Sequence, residues 1–369
     1  MNNWKETMIL IPALNPPVNL PDYIKSLLEV GFSHILVVDD GSSEEYRSTF
    51  KNIGSLPNCH ILTHAKNLGK GRALKNGINY YLTLSDNTHV SNGIICVDSD
   101  GQHTVQDVIK MSQLLTEHPN ALILGVRNFH QKQATNDTNI PWKSYMGNRI
   151  TSTIFQLLFG KKISDTQTGL RGLSPGVLSE FIDLNGERFE YETGMLIHAV
   201  KNDIPIVELP IDTIYINDNS ESHFHPILDS YKIYLLMFSV FFKYMLASLS
   251  SFIIDIILFQ IFIFVFKNAG DALCITISTI AARICSSLYN YGVNKSLVFQ
   301  NNSKTSSTLI RYYSLCIVQT AASTGLVLLF YRLLHLPETI IKIVVDTLLF
   351  LISFQIQQHW VFSTKKKDM

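Results

Sequence analysis

The sequence predicts an α/β domain with a mostly parallel sheet, followed by an all-α transmembrane domain of four spans. Three observations predict it. Short apolar runs alternate with stretches of helical spacing up to about residue 225, charges retreat to short connecting pieces from about residue 231, and four late apolar stretches are each long enough to cross a bilayer. With 369 residues, 46% hydrophobic and 16% charged, the chain has room for both parts. Its charge content is low against the ~25% usual in soluble domains.

Residues 8–12, 34–38, 93–97 and 121–125 read as buried parallel strands. Turn-prone residues follow each, and then come helical patterns, as at 20–30, 71–84 and 105–115. Such an alternation folds as a parallel sheet covered on both faces, with ligands at the carboxyl ends of the strands near the topological switch point. The polar clusters fall there: Pro12-Ala13-Leu14-Asn15-Pro16, Asp39-Asp40-Gly41-Ser42, Asp98-Ser99-Asp100-Gly101-Gln102 and Gly125-Val126-Arg127. The second cluster reads equally well as a helix cap. The third does not, because carboxylates one residue apart repel each other unless a cation or hydrogen bonds offset them. A hard divalent cation, Mg²⁺ or Mn²⁺, bound with a diphosphate satisfies that need. Asp98, Asp100 and Gln102 share parity on an extended segment, so Asp100 and Gln102 can both face the ion. A nucleotide-sugar donor needs this neutralisation as its diphosphate departs.

A formal net charge of +0 and the lack of a basic stripe argue against nucleic acid as a partner. The five cysteines have no CxxC spacing, which suits a reducing compartment. No basic stretch followed by an apolar core opens the chain, so no cleavable signal peptide is expected and the α/β domain is expected in the cytosol.

Five segments in order, Val37-Val38-Asp39-Asp40-Gly41-Ser42, Asn67-Leu68-Gly69-Lys70-Gly71, Asp98-Ser99-Asp100-Gly101-Gln102-His103, Gly125-Val126-Arg127 and Asp165-Thr166-Gln167-Thr168-Gly169-Leu170-Arg171, resemble family 2 glycosyltransferases. Within that family the chain is similar to the polyprenyl-phosphate branch, over about residues 8–225. The resemblance implies a GT-A (Rossmann-like) fold and an inverting hexosyltransferase. It places Pro12, Leu14, Asn15, Asp39, Asp40, Lys70, Asp98 and Ser99 at the nucleotide sugar, with a UDP-sugar favoured. Asp100 and Gln102 would bind the metal, and Asp98, Asp100 and Arg127 would carry catalysis. Arg127, Arg149, Arg171 and His223 would hold donor or acceptor phosphates. The acceptor phosphate is already an anion, so catalysis is mostly positioning and charge neutralisation. Two departures stand out: Pro16 replaces an acidic residue, and the 215–224 segment replaces a late arginine, which is why His223 is considered. Lys70 lies in a Gly-rich stretch without P-loop spacing. Glu190 and Glu192 read either as solvated residues or as site residues, and the 165–171 stretch favours a functional loop.

The spans are expected at about 244–266, 273–297, 312–334 and 340–360, after an interfacial helix at 226–242. Lys295, Lys304, Arg311 and the lysines at 365–367 mark the cytoplasmic side, which puts both ends of this domain in the cytosol. Lys243-Tyr244 is echoed by Arg311-Tyr312, and the 294–299 stretch by 357–362, a two-by-two repeat that resembles the GtrA-like family. Asp255 and Arg283 lie ~18 and ~21 Å below the cytoplasmic face and are expected to pair. Small Ser and Ala residues on the spans would suit packing against a second copy of the chain. The expected partners are thus a nucleotide sugar, undecaprenyl or another polyprenyl phosphate, and the cytoplasmic membrane. An alternative gives the membrane half the task of flipping the lipid-linked sugar. A processive polysaccharide synthase would need a QxxRW motif, and none occurs.

Overall fold

The computed structural model describes residues 3–84, 91–127, 142–212, 225, 227–334 and 336–363. They form two compact units, Met1–Met237 and Phe238–Met369. His223 and the lysines at 365–367 lie outside the described residues.

The first unit is an α/β domain. In chain order it contains β1 (Met8–Ala13), α1 (Leu20–Glu29), β2 (His34–Asp39), α2 (Arg47–Gly54), β3 (Cys59–Thr63), α3 (Lys70–Thr83), β4 (Ile94–Cys96), α4 (Val105–Glu117), β5 (Leu122–Arg127), α5 (Trp142–Phe159), β6 (Arg171–Leu173), α6 (Leu178–Phe181), α7 (Glu190–Lys201) and β7 (Ile206–Ile211). The sheet order is β3-β2-β1-β4-β6-β5-β7, parallel throughout except for β6, which runs antiparallel to β4 and β5. From β1 the chain builds outward through β2 and β3, then returns to the other side of β1 as β4. The switch point therefore lies between the carboxyl ends of β1 and β4.

Parity explains the two covered faces. Ile9, Ile11 and Ala13 of β1 join Leu20, Ile24 and Leu27 of α1 and Val108, Met111 and Leu115 of α4 in one buried cluster. Leu10 points the other way, toward α3: a Cβ on Gly77 would come within 2.3 Å of its Cδ1, so only glycine allows that approach. The four strands and three helices expected from sequence are present within two residues at each end. Strands β3, β6 and β7 were not expected. β6 is a three-residue Arg-Gly-Leu segment, and β7 carries Pro210, tolerated because β7 is an edge strand.

Helix α8 (Leu228–Val265) is one helix of 38 residues that takes in most of the stretch expected as an interfacial segment and all but the last residue of the expected first span. The others are α9 (Asp271–Val293), α10 (Thr305–Leu334) and α11 (Glu338–Ile356). All four are long and apolar enough to cross a membrane. Both α9 and α11 end in a π-helical turn, at Asn294–Val298 and Gln357–Val361, at matching positions of the repeat. The repeat is reciprocal in its contacts. Tyr291 meets Tyr312 and Phe362 at 5.4 and 5.9 Å, while its counterpart Phe354 meets Tyr244 and Phe299 at 5.3 and 6.1 Å. Where equivalent residues face each other, Phe299 stacks on Phe362, and Asn294 Nδ2 donates to Gln357 Oε1 at 3.1 Å. Contact of i with j′ and of j with i′ is the signature of a two-fold relation, here within one chain.

Candidate active site

Leu10 lies opposite Cys96 in the β1–β4 ladder, so Pro12 stands level with Asp98 across the switch point. Asn15, at φ +46°, fastens the ends of β1 and β2: its N–H donates to Ser42 Oγ, and its Oδ1 accepts from the Ser43 N–H, both at 2.9 Å. Asp39 Oδ1 accepts from the Ser42 N–H at 2.9 Å, which leaves this carboxylate at the strand end. Asp40 is different. It is buried, and it accepts from the backbone N–H groups of Leu68 and Gly69 at 2.8 Å and pairs with His64 Nδ1 at 2.7 Å. Its work is to hold the 64–69 loop that delivers Lys70 to the start of α3.

Lys70 then reaches into the site, with Nζ 2.7 Å from Asp98 Oδ1 and 3.1 Å from Glu192 Oε1 at the start of α7. The α3 terminus is locked in place: Arg72 N–H donates to the Glu187 carbonyl at 3.0 Å, and its guanidinium makes a two-point pair with the Glu187 carboxylate at 2.6 and 2.7 Å. Lys75 adds a contact to Glu187 at 2.8 Å. Gly69 and Gly71 permit this docking, since a Cβ on either would strike the 187–191 segment.

The two carboxylates of the Asp98–Gln102 loop have opposite electrostatics. Burial pushes the Asp98 carboxyl upward, but Lys70 and His103 beside it outweigh burial and hold it well below the usual carboxylate range. Lys70 in turn is held protonated by Asp98 and Glu192 against the opposite pull of burial. Burial and the charge of Asp98 raise the Asp100 carboxyl, and among the described residues no basic side chain pairs with it. Asp100 Oδ1 accepts the Gln102 N–H at 3.1 Å, a turn that keeps the two residues on one short loop, while Ser99 between the carboxylates is part-buried. The charge excess therefore sits on Asp100. A divalent cation held by Asp100 and Gln102, completing its shell with diphosphate oxygens and water, fits that excess. Among the described residues no cluster of three His, Cys, Asp or Glu stands ready to cage a metal alone.

Gly169 closes one side of the site: a Cβ there would lie 1.9 Å from Asp98 Oδ2. Its loop is anchored at both ends. Asp165, fully buried, makes a two-point pair with Arg127 at 2.6 and 3.0 Å. Arg171 is also fully buried, and its guanidinium donates to the carbonyls of Thr168, Glu192 and Thr166 at 3.0, 2.5 and 3.4 Å. The structure thus puts Arg171 in the floor of the site rather than on a surface that an acceptor phosphate could reach. Arg149 is exposed on α5, its NH1 3.4 Å from Tyr145 Oη. Pro12 is buried and Leu14 half-buried at the β1 end. Cys96, beneath the site, is an inert thiol pushed up to about 12 by burial. In the second unit Arg283 Nη2 lies 3.4 Å from Asp255 Oδ2, and Ser286 Oγ donates to Asp255 Oδ1 at 2.8 Å.

The comparisons agree with this geometry. Residues 8–181 match the model of glycosyl transferase family 2, and residues 243–362 match the GtrA/DPMS transmembrane domain. An uncharacterized protein of Methanocaldococcus jannaschii is 31% identical over 58% of this chain and 83% of its own length. A UDP-N-acetylglucosamine--dolichyl-phosphate N-acetylglucosaminyltransferase of Methanococcus voltae is 29% identical over 56% and 85%. The glycosyltransferase AglJ of Haloferax volcanii is 26% identical over 62% and 70%. The chain belongs to the family 2 glycosyltransferases, as a GT-A domain joined to a GtrA/DPMS membrane domain. It is a glycosyltransferase and an integral membrane protein.

Proposed function

We propose that the enzyme transfers a hexose or N-acetylhexosamine from a UDP-sugar to undecaprenyl or another polyprenyl phosphate, at the cytosolic face of the cytoplasmic membrane and with inversion, for surface or cell-wall polysaccharide glycosylation. The observation that carries this reading is the Asp98–Gln102 loop at the switch point, in a chain whose second unit is built for the bilayer. The Methanococcus voltae relative, named for UDP-N-acetylglucosamine and dolichyl phosphate, supports both the donor and the acceptor class.

The acceptor arrives as an anion. A phosphate oxygen of the lipid attacks the anomeric carbon from the face opposite the nucleotide, the bond from that carbon to the diphosphate breaks, and its electron pair leaves with UDP. No proton has to be removed from the acceptor, so the chain's tasks are alignment and charge balance. Pro12, Leu14 and Asp39 line the base pocket at the β1 and β2 ends, with Asp98 toward the nucleoside. Asp100 and Gln102 would hold Mg²⁺ or Mn²⁺, which stabilises the leaving diphosphate as a Lewis acid. Arg127 orders the 165–171 loop through Asp165, and exposed Arg149 faces the lipid phosphate.

The test uses purified full-length protein in detergent with polyprenyl phosphate, Mn²⁺ or Mg²⁺ and a panel of nucleotide sugars, with the glycolipid product read by mass spectrometry. One UDP-sugar should give product, and Asp100→Ala should abolish it without unfolding the protein. A panel that yields no glycolipid sinks the proposal. A second activity of the membrane half, passage of the lipid-linked sugar across the bilayer, is supported by the Asp255–Arg283 pair, since paired charges inside spans commonly line transport paths. Product sidedness in sealed vesicles tests it.

A further inference from the structure

His103 ends the Asp98–Gln102 loop. It is buried, and neither ring nitrogen has a hydrogen-bond partner. A neutral imidazole carries one donor and one acceptor, and leaving both unpaired inside a protein is a cost that native structures seldom keep without a use. Nε2 stands 3.6 Å from Asp98 Oδ2, beyond hydrogen-bonding distance but within reach after a small rotation. The other oxygen of that carboxylate, Oδ1, is held by Lys70 at 2.7 Å, and Lys70 is shared with Glu192. Gly169 leaves the room that Oδ2 occupies beside His103, since a Cβ there would collide with it.

These positions describe a carboxylate with one partner engaged and a second in waiting. A diphosphate carries more charge than either carboxylate that now holds Lys70, so it competes for the ammonium. Once Lys70 turns toward it, Asp98 Oδ1 loses the ammonium that now holds it. The group placed to replace that cation is the Nε2–H of His103.

Resting on the donor site proposed above, we infer that His103 is a positioning residue that exchanges with Lys70: with nucleotide bound, Lys70 serves the diphosphate and His103 Nε2–H donates to Asp98 Oδ2. The exchange moves no proton between residues and touches no reacting atom. It keeps Asp98 aimed at the nucleoside while freeing a cation for the leaving group. In the empty protein the imidazole stands beside Asp98 without a hydrogen bond to it.

The experiment compares wild type, His103→Leu and His103→Gln as full-length proteins, measuring UDP and GDP binding by calorimetry with Mn²⁺ and thermal midpoints without nucleotide. Gln retains an N–H near the position of Nε2, and Leu does not. His103→Leu should leave the midpoint of the empty protein close to that of wild type yet weaken nucleotide binding about tenfold, the size of one hydrogen bond to a charged group. His103→Gln should recover binding to within about threefold. Wild-type affinity in His103→Leu overturns the inference, as does a Gln variant no better than Leu. A lowered midpoint with equal binding loss in both variants assigns His103 to packing alone. If the wild type binds neither nucleotide, the donor-site reading itself falls and the exchange with it.

Discussion

Gly169→Ala offers the sharpest test of how Asp98 is aimed. The added methyl carbon would sit 1.9 Å from Asp98 Oδ2, 2.5 Å from Cγ and 2.6 Å from Oδ1. To reach ordinary contact at 3.4 Å, the Oδ2 atom must retreat by about 1.5 Å. The Gly169 loop cannot yield instead, because the Arg127–Asp165 pair and the buried Arg171 guanidinium pin its two ends. Asp98 therefore moves and its 2.7 Å pair with Lys70 opens. A misplacement of ~1 Å costs on the order of 100-fold in rate, so kcat/KM for glycolipid formation should fall about that far. The change adds one methyl group and removes none, so circular dichroism and the thermal midpoint should report a folded protein. The assay is initial rate against donor concentration, with Gly169→Ser as a second variant carrying the same Cβ. Activity within threefold of wild type in either variant would show that Asp98 is not fixed by this contact, and the reasoning would be refuted.

Asp40→Ala should cost ~3 kcal/mol of stability, because it removes the acceptor of the Leu68 and Gly69 N–H groups and leaves buried His64 without its carboxylate; a chemical denaturation midpoint equal to wild type would contradict its role in holding the loop. The raised Asp100 carboxyl keeps its proton to higher pH than an ordinary aspartate, so Mn²⁺ affinity should climb as pH rises through that value and fall below it. The same sign makes ionised Asp100 a burden on the metal-free fold. Mn²⁺ titrations across the acid range check this, and an affinity independent of pH would remove Asp100 from the ligand set. Arg283→Leu leaves Asp255 with Ser286 as its remaining described partner and should lower the stability of the membrane unit by roughly 2–3 kcal/mol, while donor hydrolysis by the first unit survives. Unchanged unfolding in detergent together with unchanged whole-cell sugar transfer would refute the pairing role.

What could be read in advance depended on whether partners lie close in sequence. Asp98, Asp100 and Gln102 are one short loop after an apolar run, and their meaning is local. Asp40 looked like a donor contact because its neighbours in sequence are a strand and a turn; the N–H groups it holds come 28 and 29 residues later. Glu187 carried no local signal, and its pairing with Arg72 spans 115 residues. Arg171 misled for another reason. A charged residue in a Gly-containing loop reads as exposed, and only the fold supplies the carbonyls that let a guanidinium be buried. The four spans were legible from apolar length, but the π turns were not, because hydropathy does not register a change in backbone hydrogen bonding. The echo between 294–299 and 357–362 marked their place without revealing their form.

Those twin turns say something about how the membrane unit can be taken apart. Asn294 meets Gln357 and Phe299 meets Phe362, so each hairpin shows its partner nearly the surface that it receives. Such a seam is self-complementary, and a hairpin expressed alone carries everything needed to recognise a second copy of itself. The linker at 299–304 is a tether that raises local concentration, and it adds contacts of its own through Phe299 and through Asn301, whose Nδ2 donates to the Phe362 carbonyl at 2.6 Å. Cutting it should leave two pieces that still find each other in a bilayer.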